Sequence, residues 1–302
     1  MSFLLEMTDV PMKNILEKCD FKSVLTLRKV CHSLRNFIDD SSLQTDLKSI
    51  HIDIEATDIS VNFQSYETVT AADHWTSNDL KIILNILNSK LSTFRIDTHP
   101  ENPGALDALE EILKNKPRPL QAEFLEMGIS GCGELLKILP HIHSKALNEI
   151  YITRSAFDKP GEIISDRMEE IAELEQFKNL KEIIIKEFSV PREFLKKFFN
   201  FKLVEIKVHE LSLEDLVELK KAFTTSPRMR YFQINGHRMN EDKLETVFGA
   251  PFLNNSTSWK KKQWYFKIQK SKKHVLKISI LGLLEFWKWP VKKVPKDAVV
   301  KD

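Results

Sequence analysis

The stretch Leu5–Asp40, LEMTDVPMKNILEKCDFKSVLTLRKVCHSLRNFIDD, holds more apolar side chains than a piece of that length can bury by itself. Met12, Ile15, Leu16 and Cys19 stand at i, i+3, i+4 and i+7, the spacing of one helix face. Pro11 suits the opening of that helix, where its missing N–H would have no carbonyl to reach. Asp20 breaks the helix and can cap the next. Beyond it Val24, Leu25, Leu27, Arg28, Val30, Cys31 and Leu34, then Phe37 and Ile38, spread apolar groups over two faces, and two faces require two neighbours. Three helices in about 40 residues lie below the size that sustains its own core. The second face is therefore expected to be covered by the rest of the chain or by another protein.

The order of residues carries a resemblance. Met7-Thr8-Asp9-Val10-Pro11-Met12, then Ile15-Leu16-Glu17-Lys18, Asp20-Phe21-Lys22-Ser23, Leu27-Arg28-Lys29-Val30-Cys31 and Leu34-Arg35 resembles an F-box. The placing of Val30-Cys31 after the Asp20-Phe21 break, with Leu34-Arg35 following, is similar to the large nematode family that joins an F-box to an FTH domain. The resemblance implies docking on a Skp-type linker subunit, which hangs on a cullin and brings a ubiquitin-conjugating enzyme to whatever the rest of the chain holds. It implies linker-contacting roles for Met7, Val10, Pro11, Ile15, Leu16, Leu25, Leu27, Val30 and Cys31. One departure stands out: F-boxes commonly begin Leu-Pro or Met-Pro, whereas Met7 is followed by Thr8, which is expected to loosen the first contact. An ordinary three-helix cap of a larger domain is the alternative for the same apolar pattern.

At 302 residues, 42% apolar and 29% charged, the composition is that of a globular protein of one large or two ordinary domains. No apolar run approaches the length of a membrane span, and Phe3-Leu4-Leu5 before Glu6 is too short for a signal-peptide core. Cys19, Cys31 and Cys132 are odd in number and scattered, which argues against disulfides and a thiolate metal site and for a reducing compartment, the cytoplasm or nucleus. The net charge of +2 hides an asymmetry. Trp259–Asp302 carries thirteen Lys or Arg against three Asp or Glu, a surplus of ten that leaves the first 258 residues at −8. Such an end could meet nucleic acid, acidic lipid or an acidic partner, or be a solvated hairpin with a loose terminus.

Beyond residue 45 an apolar residue recurs at i, i+3 and i+5, the last two flanking one outward side chain as in a half-buried strand. The copies are Leu47-Ile50-Ile52, Leu91-Phe94-Ile96, Ala122-Leu125-Met127, Leu147-Ile150-Ile152, Leu180-Ile183-Ile185, Leu203-Ile206-Val208 and Met229-Phe232-Ile234, stepping by 44, 31, 25, 33, 23 and 26 residues. Helical segments lie between them: Leu80–Leu87 after Thr76 and Ser77, Leu106–Leu113 after Pro103, Leu135–Leu139, Met168–Leu174, Phe194–Phe198 with Ser189 as cap, Leu216–Phe223 behind a Ser212/Asp215 capping box, and Leu244–Phe248 opened by Asn240 and closed by Gly249. Strand and helix in alternation favour parallel strands with right-handed crossovers. The pattern predicts an α/β chain: an N-terminal three-helix F-box over 1–45, an irregular leucine-rich-repeat-like arc over 46–290, which the FTH resemblance also implies, and a basic tail over 291–302. Trp264-Phe266-Ile268 and Val275-Leu276-Ile278-Ile280 read as a β-hairpin capping the arc, with Trp287, Trp289 and Pro290 packing back before the tail frays. A doubly wound domain is the competing architecture, yet the chain has only eight Gly, and Gly131-Cys132-Gly133 completes no dinucleotide or phosphate motif.

No catalytic constellation stands out in the sequence. His141-x-His143 lacks a third ligand at a suitable spacing, and no nucleophile elbow or cysteine-protease signature is present. The reading is thus a non-enzymatic adaptor without cofactor or metal. It docks on a Skp-type linker and through it a cullin, and it presents an unidentified target on outward strand side chains such as His51, Arg95, Tyr151, Ile184, Lys207 and Gln233. The alternative is a repeat-type binding module whose basic end takes nucleic acid or an acidic partner, with no ubiquitin role; membrane attachment and sequence-specific nucleic-acid binding are not expected.

Overall fold

A computed structural model describes residues 7–41, 43–44, 46–57, 59–64, 69–74, 77–87, 89–155, 167–236, 241–254, 261–269 and 271–302. The capping candidates Thr76 and Asn240 lie outside these residues. The chain is a mixed α/β protein in which N-terminal helices precede a large body of sheet, and it divides into two compact units. One takes the chain through Ile150 and recovers Glu169–Asn179; the other takes Leu180–Asp302 together with Tyr151–Thr153 and Met168.

The first unit opens with α1 (Asp9–Leu16), α2 (Phe21–Arg28) and α3 (His32–Asp40). Then follow β1 (Ser49–Ile54), β2 (Ile59–Gln64), β3 (Val69–His74), α4 (Ser77–Ile86), β4 (Leu91–Asp97), α5 (Pro103–Lys114), β5 (Ala122–Ile129), α6 (Cys132–Ile138) and β6 (Glu149–Arg154). Short α7 (Met168–Glu173) and α8 (Glu175–Asn179) come after β6. β1 is parallel to β4 and β4 to β5, with Ile50 level with Phe94 and Phe94 with Leu125, so the first repeat copies stack in register. The buried residues of these strands are the repeat positions themselves: Ile50, Phe94 and Leu125 are fully covered. The 44-residue step between the first two copies, predicted to hold a helix and a loop, also holds β2 and β3, an antiparallel extension on the free side of β1. Lys116 ties the layers, its ammonium donating to the carbonyls of Leu84 and Leu87 at the end of α4.

The second unit holds β7 (Glu182–Ser189), β8 (Leu203–Lys207), α9 (Leu213–Thr225), β9 (Tyr231–Asn235), α10 (Glu241–Phe248), β10 (Phe252–Asn254), β11 (Lys261–Lys267), β12 (His274–Leu281), β13 (Leu283–Pro290) and β14 (Val300–Lys301). β7, β8 and β9 run parallel. The capping box forms as the sequence predicts: Ser212 Oγ accepts from Asp215 N at 3.1 Å and Ser212 N donates to Asp215 Oδ2 at 2.8 Å. Gly249 ends α10 at φ 71°, donating to Glu245 O. Ser189, by contrast, caps nothing. It ends β7, and Pro191 leads into a 3-10 turn over Arg192–Phe198 in place of an α-helix. The tighter turn advances about 2.0 Å per residue against 1.5 Å, which lets seven residues span the crossover in this shortest step of 23.

The C-terminal strands depart most from expectation. The hairpin of β11 and β12 is present, but it does not adjoin the last repeat strand. A further strand, β13, turns back at Gly282 (φ 75°) and pairs antiparallel with both β12 and β9, setting Phe286 level with Phe232. Trp287 and Trp289 thus belong to a ladder. The tail, expected to fray, is held: Val300 lies opposite Tyr265 of β11, and Lys301 Nζ donates to Ala250 O at 2.8 Å. Beneath these strands Phe248 packs on Trp264, Phe266 and Phe286 with ring centroids 5.6, 5.9 and 6.4 Å away, and Phe223 meets Phe286 at 6.3 Å.

Candidate docking surface

The three N-terminal helices have two apolar sides with different fates. Met12, Leu16, Val24, Leu34, Ile38 and Leu43 close a core with Ile86 of α4, against which Cys19, Leu25, Leu27, Cys31, Phe37 and Ile82 pack in part. The inner side is therefore covered by the chain itself. The outer side is not. Met7, Val10, Ile15 and Val30 are 37%, 69%, 38% and 43% exposed, and no other large apolar side chain among the described residues before Val217 is comparably open. At 100° per residue Val10, Pro11 and Ile15 occupy an arc of about 140° on α1, centred away from Met12 and Leu16, with Met7 just ahead of the helix.

Local chemistry fixes this face. Asp20 caps α2, accepting from Ser23 N at 2.7 Å and Ser23 Oγ at 2.9 Å, and these bonds hold its carboxyl below the usual range. Arg28 of α2 and Asp39 of α3 form a two-pronged ion pair at 2.6 and 2.7 Å. Phe21 N donates to Asp46 Oδ1, and the Phe21 ring meets Phe63 of β2 at 5.6 Å, pinning the helices to the first strands. Thr8 is the N-cap of α1 with ψ 161°, already extended, and its side chain makes no capping bond. Pro11 falls at the third helical position, still within the turn whose N–H groups lack partners.

Of the nine residues assigned to linker contact from sequence, the structure brings Met7, Val10, Pro11, Ile15 and Val30 to the surface. Leu25, Leu27 and Cys31 are half-buried and lean on the inner core. Leu16 is 1% exposed. It anchors α1 from within; the stripe read from the sequence held Ile15 as well, and the structure separates the two.

The sheet surfaces differ between units. In the first, His51, Arg95 and Glu126 stand level on β1, β4 and β5, and Arg95 binds Asp97 at 2.8 Å and Glu126 at 3.4 Å. Asp53 lies level with Asp97; burial and that neighbouring carboxylate raise its pKa. In the second, Ile184, Glu205, Gln233 and Glu285 stand level, while Lys207 sits one step on, opposite Asn235. Sequence reasoning missed the groups that β13 adds: Trp287 stacks on Tyr231 at 4.1 Å, and Glu285 accepts from Lys261 and Ser279. The alternation of Leu284 and Phe286 with Glu285 and Trp287 was the available signal.

Among the described residues no three His, Cys, Asp or Glu side chains gather to hold a metal ion, and no helix is long and apolar enough to cross a membrane. The backbone on either side of Ile142 serves structure: Leu120 N donates to His141 O and His143 N to Leu120 O.

No curated protein matches the chain. Two family models do: residues 4–45 match the F-box domain and residues 104–252 the FTH domain. The F-box match covers the helices with the open apolar face, and the FTH match runs from α5 to β10. Proteins of these families are typically non-catalytic adaptors, and an F-box indicates in general an adaptor role in ubiquitin ligation. The chain thus carries, one after the other, a match to the F-box domain and a match to the FTH domain.

Proposed function

We propose that the chain is the substrate-recognition subunit of a Skp–cullin–F-box ubiquitin ligase, acting in the cytoplasm or nucleus. The observation that carries this reading is the open apolar face of Met7, Val10, Pro11, Ile15 and Val30 on helices whose opposite side is already satisfied by Leu43, Ile82 and Ile86. A linker subunit laid on that face removes the apolar groups from water, and at about 25 cal/mol per Å2 such burial is a sufficient drive for association. Leu25, Leu27 and Cys31 support the contact from its margin. The parallel repeat strands and their crossovers form a leucine-rich-repeat-like arc that holds the target. Function then lies in effective concentration: the target is kept near a ubiquitin-conjugating enzyme, with no bond made or broken by this chain.

The test is co-purification of a Skp-type linker with the full-length chain and with the double variant Val10→Asp, Ile15→Asp. Both positions are exposed, so the fold persists while two carboxylates must be desolvated at the interface. Loss of the linker from the variant alone is the expected result; equal recovery from both rejects the reading. Point substitution is a cleaner test than removing residues 1–45, because removal also strips the cover from Ile82 and Ile86.

A further inference from the structure

In the second unit several basic residues have acidic partners. Arg192 pairs with Asp215, Lys196 with Glu218, Lys202 with Glu182, Lys261 with Glu285, Lys262 with Glu245 and Lys267 with Asp302. At one end of its sheet a group of cations stands together without such a partner. Arg228 and Arg230 precede β9, Lys272 and Lys273 precede β12, and Lys288 and Lys292 lie at the end of β13; none has an acidic partner among the described residues. The topology gathers them. Lys288 N donates to Arg230 O, Val291 N donates to Lys273 O, and His274 lies level with Pro290. The cations therefore line the ends of three adjacent strands, about 10 Å across at the usual strand spacing. Burial and the neighbouring Arg230 charge both lower the Lys288 pKa, as crowding of like charges requires.

We infer that this rim, from Arg228 and Arg230 across Lys288 to Lys272 and Lys273, is where the target is held, and that the element it recognises is an extended, carboxylate-rich protein segment. The inference rests on the adaptor reading for its biological meaning, though the binding itself does not. Carboxylates on alternate residues of an extended strand recur about every 6.6 Å, a spacing that serves neighbouring cations along such a rim. Lys272, Lys273, Lys288 and Lys292 bring four of the thirteen lysines of Trp259–Asp302 to this rim. Single-stranded nucleic acid fits less well, since base stacking needs open ring faces. Here Tyr231 and Trp287 cover one another at 4.1 Å, and Lys277 and Lys293 lie over Trp289 at 4.2 and 5.6 Å.

The experiment measures fluorescence anisotropy of a labelled peptide of six Glu-Gly repeats with the full-length chain at about 0.1 M salt, where screening acts beyond about 10 Å. Two variants of equal charge change are compared: Arg230→Glu, Lys272→Glu, Lys273→Glu at the rim, and Lys81→Glu, Lys114→Glu, Arg118→Glu on the exposed surface of the first unit. At least tenfold weaker binding in the rim variant, with the control within twofold of the unaltered chain, is the expected outcome. Lys272→Gln with Lys273→Gln, a milder change at two exposed sites, should give an intermediate loss. Equal loss in both charge-reversed variants, or no binding by the unaltered chain, overturns the proposal; so does a single-stranded oligonucleotide of the same charge binding tighter through the same rim. Linker co-purification by the rim variant is scored in parallel. Retained linker with lost peptide supports the rim, whereas lost linker with intact peptide binding in Val10→Asp, Ile15→Asp concerns the adaptor reading alone.

Discussion

The N-terminal helices and the C-terminal strands solve opposite problems. Residues 7–40 cannot close a core alone: they borrow Leu43, Ile82 and Ile86 on one side and leave Val10 and Ile15 to water on the other. The strands β11 to β13 enclose Trp264, Phe266 and Phe286 around Phe248; they leave Leu281 and Leu283 open at their Gly282 turn and gather cations at the opposite end. A surface of the first kind recruits by losing water and changes little with salt; one of the second kind recruits by field and fades as salt rises. The sharpest way to break the comparison is to isolate the first region. A fragment of residues 1–45 should show little helical circular dichroism, because it lacks Ile82 and Ile86, and should gain helix when a Skp-type linker is added. A cooperative thermal transition of the fragment by itself would show that no borrowing is needed.

Core truncations come next in size. Phe248→Ala removes the ring shared by Trp264, Phe266 and Phe286 and should lower stability in urea by about 3–5 kcal/mol. Leu16→Ala, on the borrowed core, should cost about 2–5 kcal/mol and reduce linker binding only through the loss of folded helices. Ile15→Asp inverts that pattern. Its neighbour Leu16 is sealed and it is not, so stability should move by about 0.5 kcal/mol or less while linker affinity falls at least ~30-fold, the ~2 kcal/mol of an interface hot spot. If Ile15→Asp melts the protein instead, the face assigned to the partner is part of the core.

How much of this was legible follows from what sets each feature. Each of the seven i, i+3, i+5 copies overlaps a strand because each records burial on one face of a local, periodic element, and the Ser212/Asp215 box is local in the same way. β2 and β3 escaped because they extend the sheet beyond β1 without repeating the pattern. β13 escaped because Trp287, Lys288, Trp289 and Pro290 alternate only weakly, and its register is set by β9 and β12, one about fifty residues away. The docking face was half legible. Helical spacing put Ile15 and Leu16 on one stripe; that Leu16 is sealed while Ile15 meets water depends on α4, whose Ile82 and Ile86 say nothing of their destination in the sequence. The rim was legible only as a charge surplus; its lack of counter-ions is a property of strand order.

The smallest effect concerns the cap between α1 and α2. Asp20 accepts from Ser23 N and Oγ, and the resulting pKa lies below the ordinary aspartate value. A carboxyl depressed in the folded state stabilises it at pH above the unfolded value, about 3.9, and that contribution is lost as pH falls through the folded value. Asp20→Ala should cost about 1 kcal/mol at neutral pH. Asp20→Asn keeps an oxygen able to accept from Ser23 N and should lie within a few tenths of the unaltered chain at neutral pH, yet it removes the titration. Urea midpoints followed from pH 6 to about 3 should therefore fall more steeply for the unaltered chain than for Asp20→Asn, and parallel curves would mean that the cap's charge does not contribute to holding the docking helices in place.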